Sequence, residues 1–204
     1  MTSLALIPTR DAVVLPGAVN ELAIGRPMSV AAVRHAAESD GRVLVVLQRN
    51  SRVDAPERGD LFDVGTVCRV TDAERTSGES ACVGVLAERR VKLGAIERRG
   101  DALFVAIEDL AWEPHVPVLT EVMKLALPIV IEHGLRVQLS ARTFDAMNAR
   151  TEVEQLCAAS VMLSITPERL QRVLESGELA PIAEALEALR DQSWLGRLRR
   201  WLGG

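Results

Sequence analysis

Few residues in this chain are of the types that catalyse, and their spacing forms none of the familiar constellations. There are two lysines, Lys92 and Lys124. Neither follows a glycine, so the Gly-Lys-Ser/Thr core of a phosphate-binding loop is absent and ATP binding is not predicted. The same scarcity argues against a Ser-Lys peptidase dyad: Lys92 falls in a strand-like stretch and Lys124 in a helical one, with nothing beside either to poise its amine. The three histidines, His35, His115 and His133, form no His-Glu-x-x-His helix and read as solvated loop residues. The cysteines Cys68, Cys82 and Cys157 have no zinc spacing, so neither a metal nor a cofactor is expected. Gly78-Glu79-Ser80-Ala81-Cys82 is half of a nucleophile elbow, without the second glycine or the preceding strand, and reads as a turn. Asp60 and Asp63 flank a strand start and read as turn residues. The expectation is a protein that is not an enzyme.

What remains is scaffold. Pro8 to Gly17 reads as a short apolar strand closed by a Pro-Gly turn, followed by a strand from Val19 to Ile24 and a helix entered through Pro27. Val30, Val33 and Ala37 recur at helical spacing. Val43 to Leu47 is a continuous apolar run, as in a strand buried on both faces, with Asp40-Gly41 turning into it. Asn50 to Gly59 is a polar loop. Strands are predicted over Leu61 to Val70, Cys82 to Leu86, Arg90 to Ile96 and Leu103 to Ile107. Gly65 marks a bulge or close backbone approach in the first of these. Thr76 to Glu79 and Arg99 to Asp101 read as turns. Cys68 and Cys82 could face one another across adjacent strands, although free thiols in a reducing compartment are the simpler reading.

Beyond Trp112 the periodicity becomes helical. Residues 112–117, with two prolines, read as a linker between a β-rich lobe over 1–111 and a helical lobe over 118–191. Pro128 should kink the helix marked by Val118, Val122, Leu125 and Ile129. Thr151 to Glu154 is a capping box. Thr166-Pro167-Glu168 opens another helix with Thr at the N-cap and Pro at the first position, with Leu170, Val173 and Leu174 as its apolar face. Leu179, Ile182, Leu186 and Leu189 stripe the next. Residues 192–204 form a basic amphipathic tail. Trp194, Leu198 and Trp201 share one face, and Arg197 and Arg200 lie mostly off it. This tail reads as packing back on the helical lobe, with a partner contact, since Trp and Arg dominate interface hot spots, and a membrane-surface anchor as the alternatives.

Composition bounds the function. At 204 residues, 48% hydrophobic and 25% charged, the chain is an ordinary globular sequence. Aromatics amount to 3%, with no tyrosine, and the net charge is −4. Stacking on single-stranded nucleic acid is poorly supplied and the charge is of the wrong sign, so DNA is not expected and RNA is disfavoured. No apolar run is long enough to cross a bilayer and no signal peptide is visible, which reads as a cytoplasmic protein.

The order of the blocks resembles a known family. Pro8-Thr9-Arg10-Asp11-Ala12-Val13-Val14-Leu15-Pro16-Gly17, Gly25-Arg26-Pro27, Asp40 to Arg49 and Asp60-Leu61-Phe62-Asp63-Val64-Gly65-Thr66 are similar, in order and spacing, to the N-terminal domain of the ATP-dependent Lon proteases. The resemblance covers roughly residues 4 to 190. Where the family often has a Val-Glu-Gly step before paired arginines, this chain has Val85-Leu86-Ala87-Glu88-Arg89-Arg90. The resemblance implies an α+β fold, a PUA-like β-rich pseudo-barrel followed by helices, without the ATPase and peptidase. It implies a non-catalytic, free-standing adaptor for protein or peptide clients, with a protease or another ATPase as a possible partner. An RNA-binding PUA-like module is the alternative. Candidate client-binding residues are Leu15, Pro16 and Val19 at the first turn and Phe62 as an aromatic anchor; Arg10 and Asp11 read as a local turn contact. Oligomeric state and client identity are not legible.

Overall fold

The computed structural model describes residues 2–75, 81–112, 165–182 and 184. The chain divides into two compact units, Met1–Trp112 and Glu113–Gly204. The expected turn at Thr76, the linker and helices between 113 and 164, and the tail residues Trp194, Arg197, Leu198, Arg200 and Trp201 lie outside the described residues.

In the first unit the elements run β1 (Ser3–Thr9), β2 (Val19–Ile24), α1 (Pro27–Ala37), β3 (Arg42–Leu47), a short 3-10 turn at Arg58–Asp60, β4 (Val64–Arg75), β5 (Ala81–Arg99) and β6 (Ala102–Asp109). The sheet order is β2-β5-β4-β3-β1-β6, and β6 pairs back onto β5. Five strands therefore close on themselves, with β1 and β3 parallel and the other pairings antiparallel. Closure removes the sheet edges that would otherwise invite aggregation. β2 is the exception: it is added to the outer half of β5, pairing from Val19 with Leu86 to Ile24 with Ala81.

Alternating apolar residues fill the interior, with Leu6, Leu44, Val46, Leu61, Val67, Val91 and Val105 at its centre. Each such side chain taken fully out of water contributes about 1.5–3 kcal/mol. Gly65 is a close approach, as expected: a Cβ there would sit 2.6 Å from Val46 Cγ2 and 2.8 Å from the Val45 carbonyl oxygen. The bulge in β4 falls instead at Thr71, between Val70 and Asp72.

The strand expected to begin at Leu61 starts at Val64, and Leu61 itself forms an isolated bridge with Gln48. The two strands expected over Cys82–Leu86 and Arg90–Ile96 are one 19-residue strand. Val67 faces Arg89 while Cys68 faces Ala87, so Glu88 is the extra residue of a bulge. The bulge bends the strand without ending it, which lets β5 serve β2 at one end and β6 at the other. Cys68 and Cys82 do not face one another; Cys68 lies opposite Ala87 and Cys82 opposite Glu74 and Ala23, and both thiols are free. Burial pushes the Cys68 thiol far above its ordinary pKa.

The opening block also resolves differently. β1 ends at Thr9, and Val13, Val14 and Leu15 are buried outside any strand. The Pro-Gly turn is present: Ala18 N–H donates to the Leu15 carbonyl at 2.9 Å, and Gly17 has φ 87°. That left-handed value after a proline is the signature of a type II turn. α1 turns Met28, Ser29, Ala32 and Ala36 inward, rather than Val30, Val33 and Ala37. His35 stands on this helix, edge-on to Phe104 at 4.8 Å between ring centres, rather than in a loop.

In the second unit α2 (Pro167–Ser176) begins where Thr166-Pro167 predicts. The Thr166 side chain makes no capping bond; its carbonyl accepts from Arg169 and Leu170 instead. Leu170, Val173 and Leu174 are buried, and Gly177 ends the helix at φ 78°. No helix among the described residues is long and apolar enough to cross a membrane.

Candidate functional site

Among the described residues β2 pairs with β5 alone. By the alternation of an antiparallel ladder, half of its residues direct N–H and C=O groups away from β5. A cleft of about 540 Å³ borders this strand. One wall is Ile7 to Ala12, the end of β1 and the segment after it; the other is Glu21 to Arg26, with Ser29. Glu21 and Ala23 are exposed, whereas Leu22 and Ile24 point into the core.

At the C-terminal end of β2 the chain turns through Gly25 and Arg26 into α1. Arg26 is the N-cap residue by position, but no side chain caps the helix and its first turn has no acidic residue. Pro27 at the first position carries no N–H. The Ser29 and Val30 N–H groups donate to the Arg26 carbonyl at 2.9 and 3.1 Å, and among the described residues no side chain offsets the partial positive charge of the helix start.

The Arg26 side chain folds back across the cleft. Its Nη1 donates to Gln48 Oε1 at 2.5 Å and its Nη2 to the Pro8 carbonyl. Both acceptors are neutral, and no carboxylate among the described residues lies within ion-pair distance of it. Burial, followed by the neighbouring Arg10 charge, draws its pKa below the usual arginine value, and Asp54 opposes that shift. Arg10 pairs with Asp54, whose side chain is 85% exposed. This contact spans 44 residues of sequence, not a local turn. Asp11 is exposed on the same cleft.

Of the residues singled out in sequence, Leu15 is fully buried and Pro16 is buried, so packing accounts for both. Val19 is 39% exposed at the start of β2. Phe62 is half-buried beneath Arg49, whose guanidinium lies 4.5 Å from the ring centre. Neither Val19 nor Phe62 lines the cleft. The sequence reading missed Ser29 and gave Arg26 no role; the available signal was an arginine immediately before a helix-opening proline.

Among the described residues this unit is a closed five-stranded barrel with β2 paired on one side only, beside a mixed-charge cleft, a geometry open to strand addition. Comparison with known proteins identifies the family: residues 3–184 match the ATP-dependent protease La (LON) substrate-binding domain, and the chain belongs to that family. It is 34% identical over 191 residues to Lon protease 2 of Thermus thermophilus, covering 92% of this chain and 23% of that protein. It is 29% identical over 192 residues to the Lon protease of Haemophilus influenzae, again over 92% of this chain and 23% of the relative. The chain thus spans about a quarter of the relatives' length. Among solved structures, the N-terminal domain of a Mycobacterium avium complex Lon protease has the same fold, with a TM-score of 0.67 at 20% identity, covering 93% of this chain and 97% of that one. The α+β reading and the family resemblance therefore hold.

Proposed function

We propose that this chain is a non-catalytic polypeptide-binding module that holds extended client segments against the free edge of β2. The observation that carries this reading is the edge itself. Among the described residues β2 is paired on one side only, along a cleft, and an added strand can pair with its other side whatever its side chains are. Main-chain pairing supplies affinity, while Glu21, Ala23, Arg10 and Asp11 along the cleft supply selectivity. Family membership supports substrate binding in general. The finer reading is an adaptor that presents unfolded or specific protein clients to a cytoplasmic protease or ATPase.

The test is fluorescence anisotropy with a labelled, unfolded client protein, with structured RNA as a control. Wild type is expected to bind the client in preference to the RNA. Ala23→Glu places bulk and charge on the exposed face of β2 and is expected to weaken binding about tenfold. An Ala23→Glu variant that is folded and binds as tightly as wild type would refute the β2 edge as the binding surface. A salt-sensitive shift with RNA and none with protein would favour the RNA-binding alternative.

A further inference from the structure

The cleft has one end built for a negative charge. Three independent features meet where β2 gives way to α1. Arg26 is half-buried with only neutral acceptors, using two of its five N–H donors on Gln48 and Pro8. The start of α1 has neither a side-chain cap nor an acidic residue. Ser29, in the first turn of α1, is 2% exposed and lines the cleft, and its hydroxyl makes no hydrogen bond among the described residues. A half-buried cation with no carboxylate within ion-pair distance and a hydroxyl with no hydrogen bond among the described residues, both lining the cleft, are donors open to a ligand. Glu21 and Asp11 also line the cleft, and neither stands within ion-pair distance of Arg26. The cationic end is thus a distinct locus.

We infer that this end of the cleft captures the free C-terminal carboxylate of a polypeptide laid along β2. The inference rests on the β2-edge reading and narrows it. β2 stops at Ile24 and α1 begins at Pro27. A strand added beside β2 loses its backbone partners at that point, where Arg26, Ser29 and the helix start stand. A chain that terminates there replaces the lost pairing with charge-assisted hydrogen bonds from its carboxylate. A chain that continues has no such compensation, so an end is favoured over an internal segment. The bound strand runs parallel to β2. Glu21, three residues upstream, disfavours acidic residues earlier in the client.

The experiment uses the full chain and a fluorescein-labelled ten-residue peptide alternating valine and threonine, in three forms: free acid, C-terminal amide, and amide with an internal aspartate. The free acid is expected to bind about tenfold more tightly than the amide, the scale of one hydrogen bond to a charged group. Ser29→Ala and Arg10→Gln are each expected to narrow that ratio, and Arg26→Gln to abolish it. Thermal melts verify that each variant is folded. Should Arg26→Gln not fold, the Ser29→Ala ratio decides. Equal binding of acid and amide would overturn carboxylate capture and leave the β2-edge reading intact. An internal-aspartate amide that matches the free acid would overturn the preference for a chain end. Failure of all three peptides to bind would remove both readings.

Discussion

Two groups of arginines in this molecule meet opposite fates. Around Glu88, Arg42 Nε donates at 2.7 Å, Arg69 Nε at 2.9 Å, and Arg89 Nη1 lies 3.7 Å away. Arg42 also reaches Asp40 at 3.1 Å, and Arg89 reaches Asp109 at 2.8 Å. Every cation there has a carboxylate, and the bulge that displaces Glu88 from the ladder puts its carboxylate within their reach. In the cleft, Arg26 has none among the described residues. The comparison separates charge that completes a fold from charge left over after the fold is complete. The first kind stabilises β3, β4 and β5 against one another. The second has neutral acceptors but no carboxylate partner among the described residues, and is therefore where a ligand is sought.

If this division is correct, changes at the two places divide as well. The largest effect on stability belongs to Glu88→Ala, which leaves Arg42 and Arg69 facing one another without their shared acceptor. It is expected to lower unfolding free energy by about 1–2 kcal/mol in urea titrations while leaving peptide binding unchanged. Weakened peptide binding in that variant would break the comparison.

A smaller effect comes through pH. Burial raises the Glu88 pKa, but the Arg42 and Arg69 hydrogen bonds outweigh it and hold the carboxyl below its ordinary 4.5. A depressed folded-state pKa gives stabilisation that is complete above the unfolded value and is lost as pH falls through the folded one. Thermal melts should therefore show a stability gap between wild type and Glu88→Gln at pH 6 that closes toward pH 3. Asp40 and Asp63, also held below the usual carboxylate range by hydrogen bonds to Arg42 and Arg58 respectively, destabilise both proteins alike over the same window.

The smallest effect is the most diagnostic. Ser29→Ala removes a hydroxyl that makes no hydrogen bond among the described residues and places the best helix former within α1. It is expected to leave stability unchanged or raise it by up to about 0.5 kcal/mol, measured by chemical denaturation, while weakening capture of the free-acid peptide. A clear loss of stability would mean that the hydroxyl serves the fold.

Much of the scaffold was legible because it depends on local rules. The apolar run Val43–Leu47, the turn at Pro16-Gly17, the hairpin at Gly100 and the Thr166-Pro167 start of α2 each follow from residues adjacent in sequence. The inward face of α1 was not legible, because the β1 and β6 surfaces on which the helix rests select Met28, Ala32 and Ala36 over the more hydrophobic valines. Nor was the continuity of β5, since a bulge at Glu88 looks in sequence like a break. Leu15 and Pro16 drew attention as an apolar turn, but nothing local distinguishes a buried turn from a presented one.

By itself the sequence determined the class of this protein: an α+β Lon substrate-binding-domain fold whose blocks follow in the family's order. Residue types and near-neighbour spacing encode that much. Only the tertiary structure decided which arginines were spent. Arg42 and Arg69 meet Glu88 from 46 and 19 residues away, whereas Arg26 reaches back 18 and 22 residues to two neutral acceptors. Ion pairing depends on distance in space, and strand pairing across a closed barrel sets those distances without leaving a trace in local sequence.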